Sequence, residues 1–197
     1  MTYGNTLGRH GRLLVEYFPF SRRSKMARQS IHHDPEFSTF TYGDPTRPKS
    51  SLRNLEEGDI LIFYCGLEGW DFESPPSLYL MGYFEVIAAG TPTQLGDDAV
   101  ETYFENNFHV RHRALYSSQR SRLVLVKGGN DSRLLERPVL ISSIGQDKNG
   151  KKLKVLSKEM RRRFGHFDGR TSIQRSPPRW VRPDFVTKAA DFVRSLE

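Results

Sequence analysis

His32, His33 and Asp34 are consecutive residues whose side chains could carry out proton-transfer chemistry. Neighbouring residues of an extended chain point to opposite sides, so His32 and Asp34 share one side and His33 faces the other. Pro35 favours this arrangement, because the residue before a proline is biased toward an extended conformation. A histidine oriented by a carboxylate is a workable general acid or base near neutral pH. The alternative is structural: Asp34 caps a turn and the histidines hydrogen-bond the backbone.

Tyr42 and Asp44 place an aromatic and an acidic side chain on either side of Gly43. Gly43 and Pro45 are typical of a turn, which would explain the pattern by structure alone. In the functional interpretation, Tyr42 stacks on a base and Asp44 accepts hydrogen bonds from the edge of that base. Asp44 is also a second carboxylate for acid–base catalysis with a preceding histidine. The sequence leaves both interpretations open.

His109 and Arg111 alternate with Phe108 and Val110, which is the pattern of a half-exposed strand. His109 is a candidate for base binding. With an acid from elsewhere in the chain, it could also complete a metal or acid–base site. No HxH or CxxC signature accompanies it, so no metal ligands are predicted, and no motif identifies a cofactor.

The segment 164–180 combines arginines with amide and hydroxyl side chains. Guanidinium groups bind phosphates, and the neutral polar groups can add contacts. The net charge of the chain is +7, but residues 151–182 carry +9, residues 1–30 carry +5, and the remainder carries −7. Such segregation is typical of a phosphate-facing surface, although a solvated helix face is the structural alternative. The candidate contacts here are Arg170, Gln174, Arg175 and Arg179.

Runs of apolar residues predict the elements that must position these groups. The predicted strands are residues 13–18, 60–65, 78–87, 122–126 and 139–142. Residues 21–30 are expected to be a loop, and short helices are predicted at 97–108 and 157–164. Apolar residues at helical spacing in 183–197 predict a C-terminal helix docked on the sheet. These elements predict an α+β fold built on a curved mixed sheet or small barrel, with peripheral helices.

The length of the chain, 197 residues, suits a single domain spanning residues 1–197 that buries its core without disulfides. Cys65 is the only cysteine, so no internal disulfide can form. The N-terminal stretch lacks the features of a signal peptide, and no apolar run reaches about 18 residues. We therefore expect a cytoplasmic protein that does not enter membranes. The sequence does not indicate an oligomeric state.

Five blocks of sequence occur in order across residues 31–181: HHDPEFSTFTYGD, LRNLEEGDILIFYCGL, LYLMGYF, VLVKGGNDSRLLER and IQRSPPRWV. Together they resemble the third type of the nucleotide modification associated domain families. Members of this set were inferred to act in bacterial and phage systems that modify nucleotides in DNA. The resemblance therefore implies a nucleotide-modification context and DNA binding. The N-terminus departs from the pattern, because residues 15–20 read VEYFPF where an IPIPE-like word is expected.

The resemblance also identifies candidate site residues within the shared blocks. These are His32, His33, Asp34, Tyr42, Asp44, Tyr64 and Arg133.

A broader resemblance links the chain to PUA-like and EVE-like barrels. LEEGDILIFY contains a Gly58-Asp59 turn into a strand, and LYLMGYFEV places Gly82-Tyr83 in the next strand. Barrels of this kind often bind modified bases of RNA or DNA in a pocket beside the sheet. The resemblance thus implies a PUA-like architecture.

The leading hypothesis is a domain that handles a nucleotide or modified base of a nucleic acid through a pocket built on the 31–44 loop. The predicted pocket residues are His32, His33, Asp34, Tyr42, Asp44, Tyr64, Trp70 and His109, with Arg133, Arg170, Gln174, Arg175 and Arg179 near phosphate or base. One alternative is a transferase or hydrolase that uses His32 or His33 with Asp34 or Asp44 as its acid–base pair. A further alternative is an interaction protein whose basic tail contacts an acidic partner.

Overall fold

The computed structural model describes residues 1–8, 10–68, 76–167, 172–173 and 177–196. The chain forms two compact units. The first comprises Met1–His33 with Glu68–Pro76, and the second comprises Asp34–Leu67 with Ser77–Glu197. The expectation of one domain over residues 1–197 stays a prediction.

The first unit is built around helix α1 (Phe20–Ala27), preceded by a 3-10 turn at Leu14–Tyr17. Both elements differ from the sequence predictions, which placed a strand at 13–18 and a loop at 21–30. The guanidinium of Arg23 donates hydrogen bonds to the carbonyls of Glu16 and Phe18, which holds the turn against α1. No residue of α1 is buried. The helix therefore lacks the apolar stripe by which a sequence reveals a helix.

The second unit contains seven strands among its described residues. Their bounds are β1 (Thr41–Asp44), β2 (Ile60–Leu67), β3 (Ser77–Gly90), β4 (Val124–Gly128), β5 (Arg133–Leu140), β6 (Ser142–Gln146) and β7 (Lys152–Leu156). Five of them form one antiparallel sheet in the order β1-β4-β3-β2, with β5 also paired to β3. The sheet is strongly curled into a half-barrel, and together with several helices it confirms the predicted α+β fold. A curled sheet of this kind is compatible with a PUA-like barrel.

The long strand β3 lets the sheet curl because it changes partners along its length. Its first part pairs with β2 and β5, and its last part pairs with β4. Phe63 lies opposite Gly82 and Tyr64 lies opposite Leu80, so Met81 is an extra residue that forms a bulge. A Cβ at Gly82 would collide with the carbonyl of Arg133 and with the Phe37 ring, 2.7 Å away. Gly82 thus permits both the bulge and the close approach of the neighbouring backbone.

Strands β6 and β7 form a separate two-stranded hairpin within the second unit. The helices of this unit are α2 (Pro92–Leu95), α3 (Asp97–Phe104), α4 (Phe108–Arg111), α5 (Arg113–Gln119), α6 (Lys158–Phe164) and α7 (Val186–Arg194). Further 3-10 turns lie at Arg47–Asn54 and Pro183–Phe185.

Helix α7 is the predicted C-terminal helix, and it docks as its apolar spacing indicates. Ala189 and Val193 are buried, and Phe192 and Leu196 pack against the same core. That core includes Leu80 of β3 and Phe164 of α6, with Ile60 and Ile62 of β2 packed beside it. Helix α7 thus shares a core with α6 and the sheet. Within the described part of the chain, no helix is both long and apolar enough to cross a membrane.

Candidate functional site

Tyr42 and Asp44 lie two residues apart on β1, on the same side of the strand. The Tyr42 hydroxyl donates to Oδ2 of Asp44 at 2.9 Å, and Oδ1 of Asp44 accepts from the backbone N–H of Thr46 at 2.7 Å. Burial raises the pKa of the Tyr42 hydroxyl, and the charge and hydrogen bond of Asp44 raise it further. Tyr42 therefore stays protonated, and Asp44 holds its hydroxyl in one orientation.

The ring of Tyr42 is also held by aromatic neighbours. It meets Phe63 of β2 edge to face, with centroids 5.4 Å apart, and Phe63 meets Phe84 of β3 at 4.6 Å. Phe37 contacts both of these phenylalanines edge to face. Edge-to-face pairs add about 0.5–1.5 kcal/mol each beyond the area they bury. Tyr42 is thus a rigid platform.

Asp34 forms a buried pair with His109. The distance from Nε2 of His109 to Oδ2 of Asp34 is 3.2 Å, and the side chains are only 6% and 2% exposed, respectively. The backbone N–H of Gly43 donates to both oxygens of Asp34, at 3.0 and 3.2 Å. The carboxylate therefore ties the start of the second unit to β1.

Helix α4 presents His109 to this carboxylate. The side chain of Asn107 caps the helix by accepting from the His109 backbone N–H at 3.0 Å, and its amide donates to the Thr41 hydroxyl at 3.3 Å. Nδ1 of His109 lies 2.8 Å from Oε1 of Gln119. The strand predicted here was wrong, because an N-cap and a single helical turn define the segment. We call Asp34, Thr41, Gly43, Asn107, His109 and Gln119 the His109 centre.

Two opposing influences act on His109. Burial lowers the pKa of its imidazole, but the hydrogen bonds to Asp34 and Gln119 and the charges of Asp34 and Asp44 raise it, and the net shift is upward. The protonated ring is thus stabilised inside the protein, between two oxygen acceptors. Gly43 completes the packing, because a Cβ there would lie 2.9 Å from Oδ1 of Asn107 and 3.1 Å from Cδ2 of His109.

A cavity of about 690 Å³ lies in the second unit, between β2, α7 and the segment that follows α6. Its apolar lining includes Leu80, Ile141, Leu156, Phe164, Phe167 and Ile173. Its polar and aromatic lining includes Tyr42, Lys49, Asp59, Tyr64, Arg179, Trp180, Asp191 and Arg194. This size and this mixture of walls are typical of a small-molecule site.

Arg179 has the most unusual environment in this cavity. Its Nε is buried, and among the described residues it has no hydrogen-bond partner. Leaving a buried donor unsatisfied costs about 1–3 kcal/mol, more for a charged group. Nearby, the Tyr64 hydroxyl donates to the carbonyl of Ile173 at 2.7 Å. Burial raises the pKa of Tyr64, and the charge of Arg179 partly opposes this rise.

Lys49 lines the same cavity as Tyr42. Burial lowers the pKa of its amine, and the charge of Asp44 partly opposes that effect. Sequence reasoning did not single out Lys49, because a lysine between Pro48 and two serines reads as a solvated turn. The 3-10 turn at Arg47–Asn54, with Leu52 buried, is what brings it to the cavity.

The structure brings several of the predicted residues together in two places. Tyr42, Tyr64 and Arg179 line the cavity, whereas Asp34 and His109 form the buried centre beside β1. His32 and His33 belong to the first unit and are exposed, whereas Asp34 and Asp44 belong to the second. Arg133 is exposed on β5, where its guanidinium donates to the Leu196 carbonyl at 3.3 Å. Trp70, Arg170, Gln174 and Arg175 lie outside the described residues.

The fold and site define a mixed α/β protein whose curled antiparallel sheet carries a half-apolar cavity with cationic groups in its wall. The chain belongs to the family described as Nucleotide modification associated domain 3, whose family model matches residues 1–195. This membership confirms the resemblance seen in the sequence blocks. The family's name points to a nucleotide-modification context. Comparisons with curated proteins and with solved structures gave no match.

Proposed function

We propose that the protein binds a nucleotide, or a modified base of a nucleic acid, in the cavity lined by Tyr42, Tyr64, Arg179 and Trp180. The observation that carries the proposal is the buried Nε of Arg179, which has no partner among the described residues. A phosphate oxygen or a base carbonyl would accept from this group and remove the cost of leaving it unsatisfied.

The rest of the lining suits the other parts of a nucleotide. Trp180 is 48% exposed at the cavity, so its indole ring offers a face on which a base can stack. The aliphatic wall of Leu80, Ile141 and Leu156 shields the base from water. The Tyr42 hydroxyl, whose proton is committed to Asp44, presents its oxygen as an acceptor for a base amino group.

The 31–44 loop serves this pocket indirectly. Tyr42 is the residue of this loop that lines the cavity. The Gly43 N–H donates to Asp34 and the Tyr42 hydroxyl donates to Asp44, and these hydrogen bonds fix the platform. Asp34 and Asp44 are then positioning residues in this proposal, and no proton transfer to substrate is required of them.

Calorimetric titration with the common nucleoside 5′-monophosphates and the matching nucleosides tests the proposal. Replacing Arg179 by Met should weaken monophosphate binding about ten- to a hundredfold, since a hydrogen bond to a charged group contributes about 1.5–3 kcal/mol. Trp180→Ala should weaken nucleosides and monophosphates alike. The control is Arg182→Met, because Arg182 is exposed and paired with Asp184. Failure of the unaltered protein to bind any of these probes would refute the proposal.

A second candidate function, chemical modification of the bound nucleotide, is favoured by Lys49. A half-buried lysine with a lowered pKa has a larger neutral fraction, which is the form that acts as a general base or nucleophile. Lys49→Met should then abolish turnover while nucleotide binding is retained. Turnover is measured by mass spectrometry of the nucleosides obtained from DNA after incubation with the protein. Unchanged turnover in this variant would exclude the role.

A further inference from the structure

We propose that the β6–β7 hairpin and helix α6 form an arm that holds the phosphate backbone of a nucleic-acid strand, so that the cavity receives its nucleotide as part of a polymer. This inference rests on the proposed function of the cavity and specifies its substrate class. It also assigns a role to the exposed cations of the arm, which do not line the cavity.

The charge of the arm fits this partner. Residues 147–163 contain eight lysines and arginines and two acids, a net charge of +6. Six of the cations are exposed, and within the described part of the chain none of these six forms an ion pair. They are Lys148, Lys151, Lys152, Lys158, Arg161 and Arg162. Clustered cations without acidic partners are the electrostatic footprint of a phosphate-binding surface.

Asp147, one of the two acids of the arm, stabilises the turn of the hairpin. Oδ1 of Asp147 accepts from the backbone N–H groups of Asn149 and Lys151, at 2.8 and 2.9 Å. Gly150 has a positive φ of 76°, which a turn of this kind accommodates in glycine. The carboxylate therefore closes the tip of the hairpin, and the lysine side chains beside it stay available to an external anion.

Geometry connects the arm to the cavity. Ile141, directly before β6, and Leu156, the last residue of β7, both line the cavity. Phe164 at the end of α6 lines it as well. On β7, Val155 pairs with Ser172, and the carbonyl of Lys154 accepts from the N–H of Ile173 in the cavity wall. Both ends of the hairpin thus lie at the wall of the proposed binding site.

The reach of the hairpin sets an expected footprint. Each of its strands has five residues, which at about 3.3 Å per residue extends about 17 Å from the cavity wall. A nucleic-acid strand advances about 3.4 Å per nucleotide, so the arm spans about five nucleotide steps. A strand whose target nucleotide occupies the cavity would therefore pass its neighbouring phosphates along the arm.

The test compares binding of DNA oligonucleotides of increasing length with binding of a mononucleotide, across a salt series. Affinity should rise with length and level off about five nucleotides beyond the target. The double variant Lys148→Gln/Lys151→Gln should lower the affinity for single-stranded oligonucleotides about tenfold or more. It should also reduce the log–log salt slope by about 1.4, because each phosphate contact on a single strand contributes about 0.7. Mononucleotide binding should not change.

A matched control is Arg113→Gln/Arg122→Gln, which removes two exposed charges elsewhere in the second unit. It should bind oligonucleotides nearly as well as the unaltered protein. Equal effects of the two double variants, or an affinity independent of oligonucleotide length, would overturn the arm while leaving the cavity proposal intact. If Arg179→Met loses mononucleotide binding but keeps length-dependent oligonucleotide binding, the arm binds the polymer independently of the cavity. An RNA strand and a DNA duplex of the same sequence then show which polymer the arm prefers.

Discussion

The His109 centre and the cavity both contain buried polar groups, but they differ in how the hydrogen-bonding capacity of those groups is satisfied. In the His109 centre, Asp34, Asn107 and His109 all have hydrogen-bond partners within the protein, and the acid–imidazole pair is almost fully buried. In the cavity, Arg179 keeps a buried N–H without a partner among the described residues. A satisfied polar network stabilises a fold, whereas an unsatisfied donor beside an open volume indicates a ligand.

The largest expected effect that tests this contrast comes from Asp34→Ala. Removing one partner of a buried pair leaves the other charge uncompensated, so the free energy of unfolding should fall by about 3–5 kcal/mol. Asp97→Ala is the control: its partner Arg120 is 48% exposed and Asp97 is 80% exposed, so that pair contributes at most about 1 kcal/mol. Urea unfolding measures both. A loss below about 1 kcal/mol in Asp34→Ala would contradict the structural role.

A smaller effect is expected from Gly43→Ala, which probes the packing of the same centre. The added Cβ would press on the side chains of Asn107 and His109, and overpacking of this kind costs about 1–3 kcal/mol. Gly66→Ala on β2 is a suitable control, because among the described residues a Cβ there meets only Leu78 Cδ2, at 4.0 Å. Thermal or urea unfolding distinguishes them, and equal stability of the two variants would show that the centre is loosely packed.

The dependence of stability on pH should be smaller still. The pKa of His109 is raised above 6.5 in the folded state, so its contribution is fully present below pH 6.5 and is lost as the pH rises through the folded value. The stability difference between the unaltered protein and His109→Gln should therefore shrink from mildly acidic to alkaline pH. A difference that grows with pH would mean that the imidazole is neutral in the folded protein.

The smallest stability effect is expected where the effect on binding is largest. Arg179→Met removes the buried donor that has no partner among the described residues, so its free energy of unfolding should be unchanged or about 1 kcal/mol higher. The same variant is expected to bind monophosphates poorly. A drop in stability as large as that of Asp34→Ala would place Arg179 among the structural residues and remove the contrast between the two regions.

The sequence predicted the fold where burial imposes a periodic pattern of apolar residues. The apolar runs at 60–65 and 78–87 lie in β2 and β3, and the spacing of Ala189 and Val193 marked the buried face of α7. Prediction failed where local capping decides the structure. Helix α4 has four residues and depends on the Asn107 cap, so the alternation around His109 indicated a strand instead.

The site was harder to predict from the sequence than the fold, because its contacts join residues far apart in the chain. The sequence marked Asp34 as a partner for a histidine. The structure pairs it with His109, 75 positions away, and no local pattern encodes that pairing. The blocks that identified the family brought Tyr42 and Tyr64 forward as candidates, and both line the cavity. Their role in binding stays a prediction, as do those of the other candidate residues.

The pairing of β1 with β4 has a consequence for synthesis of the protein. Asp44 pairs with Val124, so β1 has no strand partner until 80 further residues have been made. At about 5–20 residues per second, this interval lasts about 4–16 s. During that time Tyr42 and the neighbouring phenylalanines lack the strand that completes their side of the sheet. Long-range pairing of this kind folds slowly, so a nascent chain halted before residue 124 should be a substrate for chaperones.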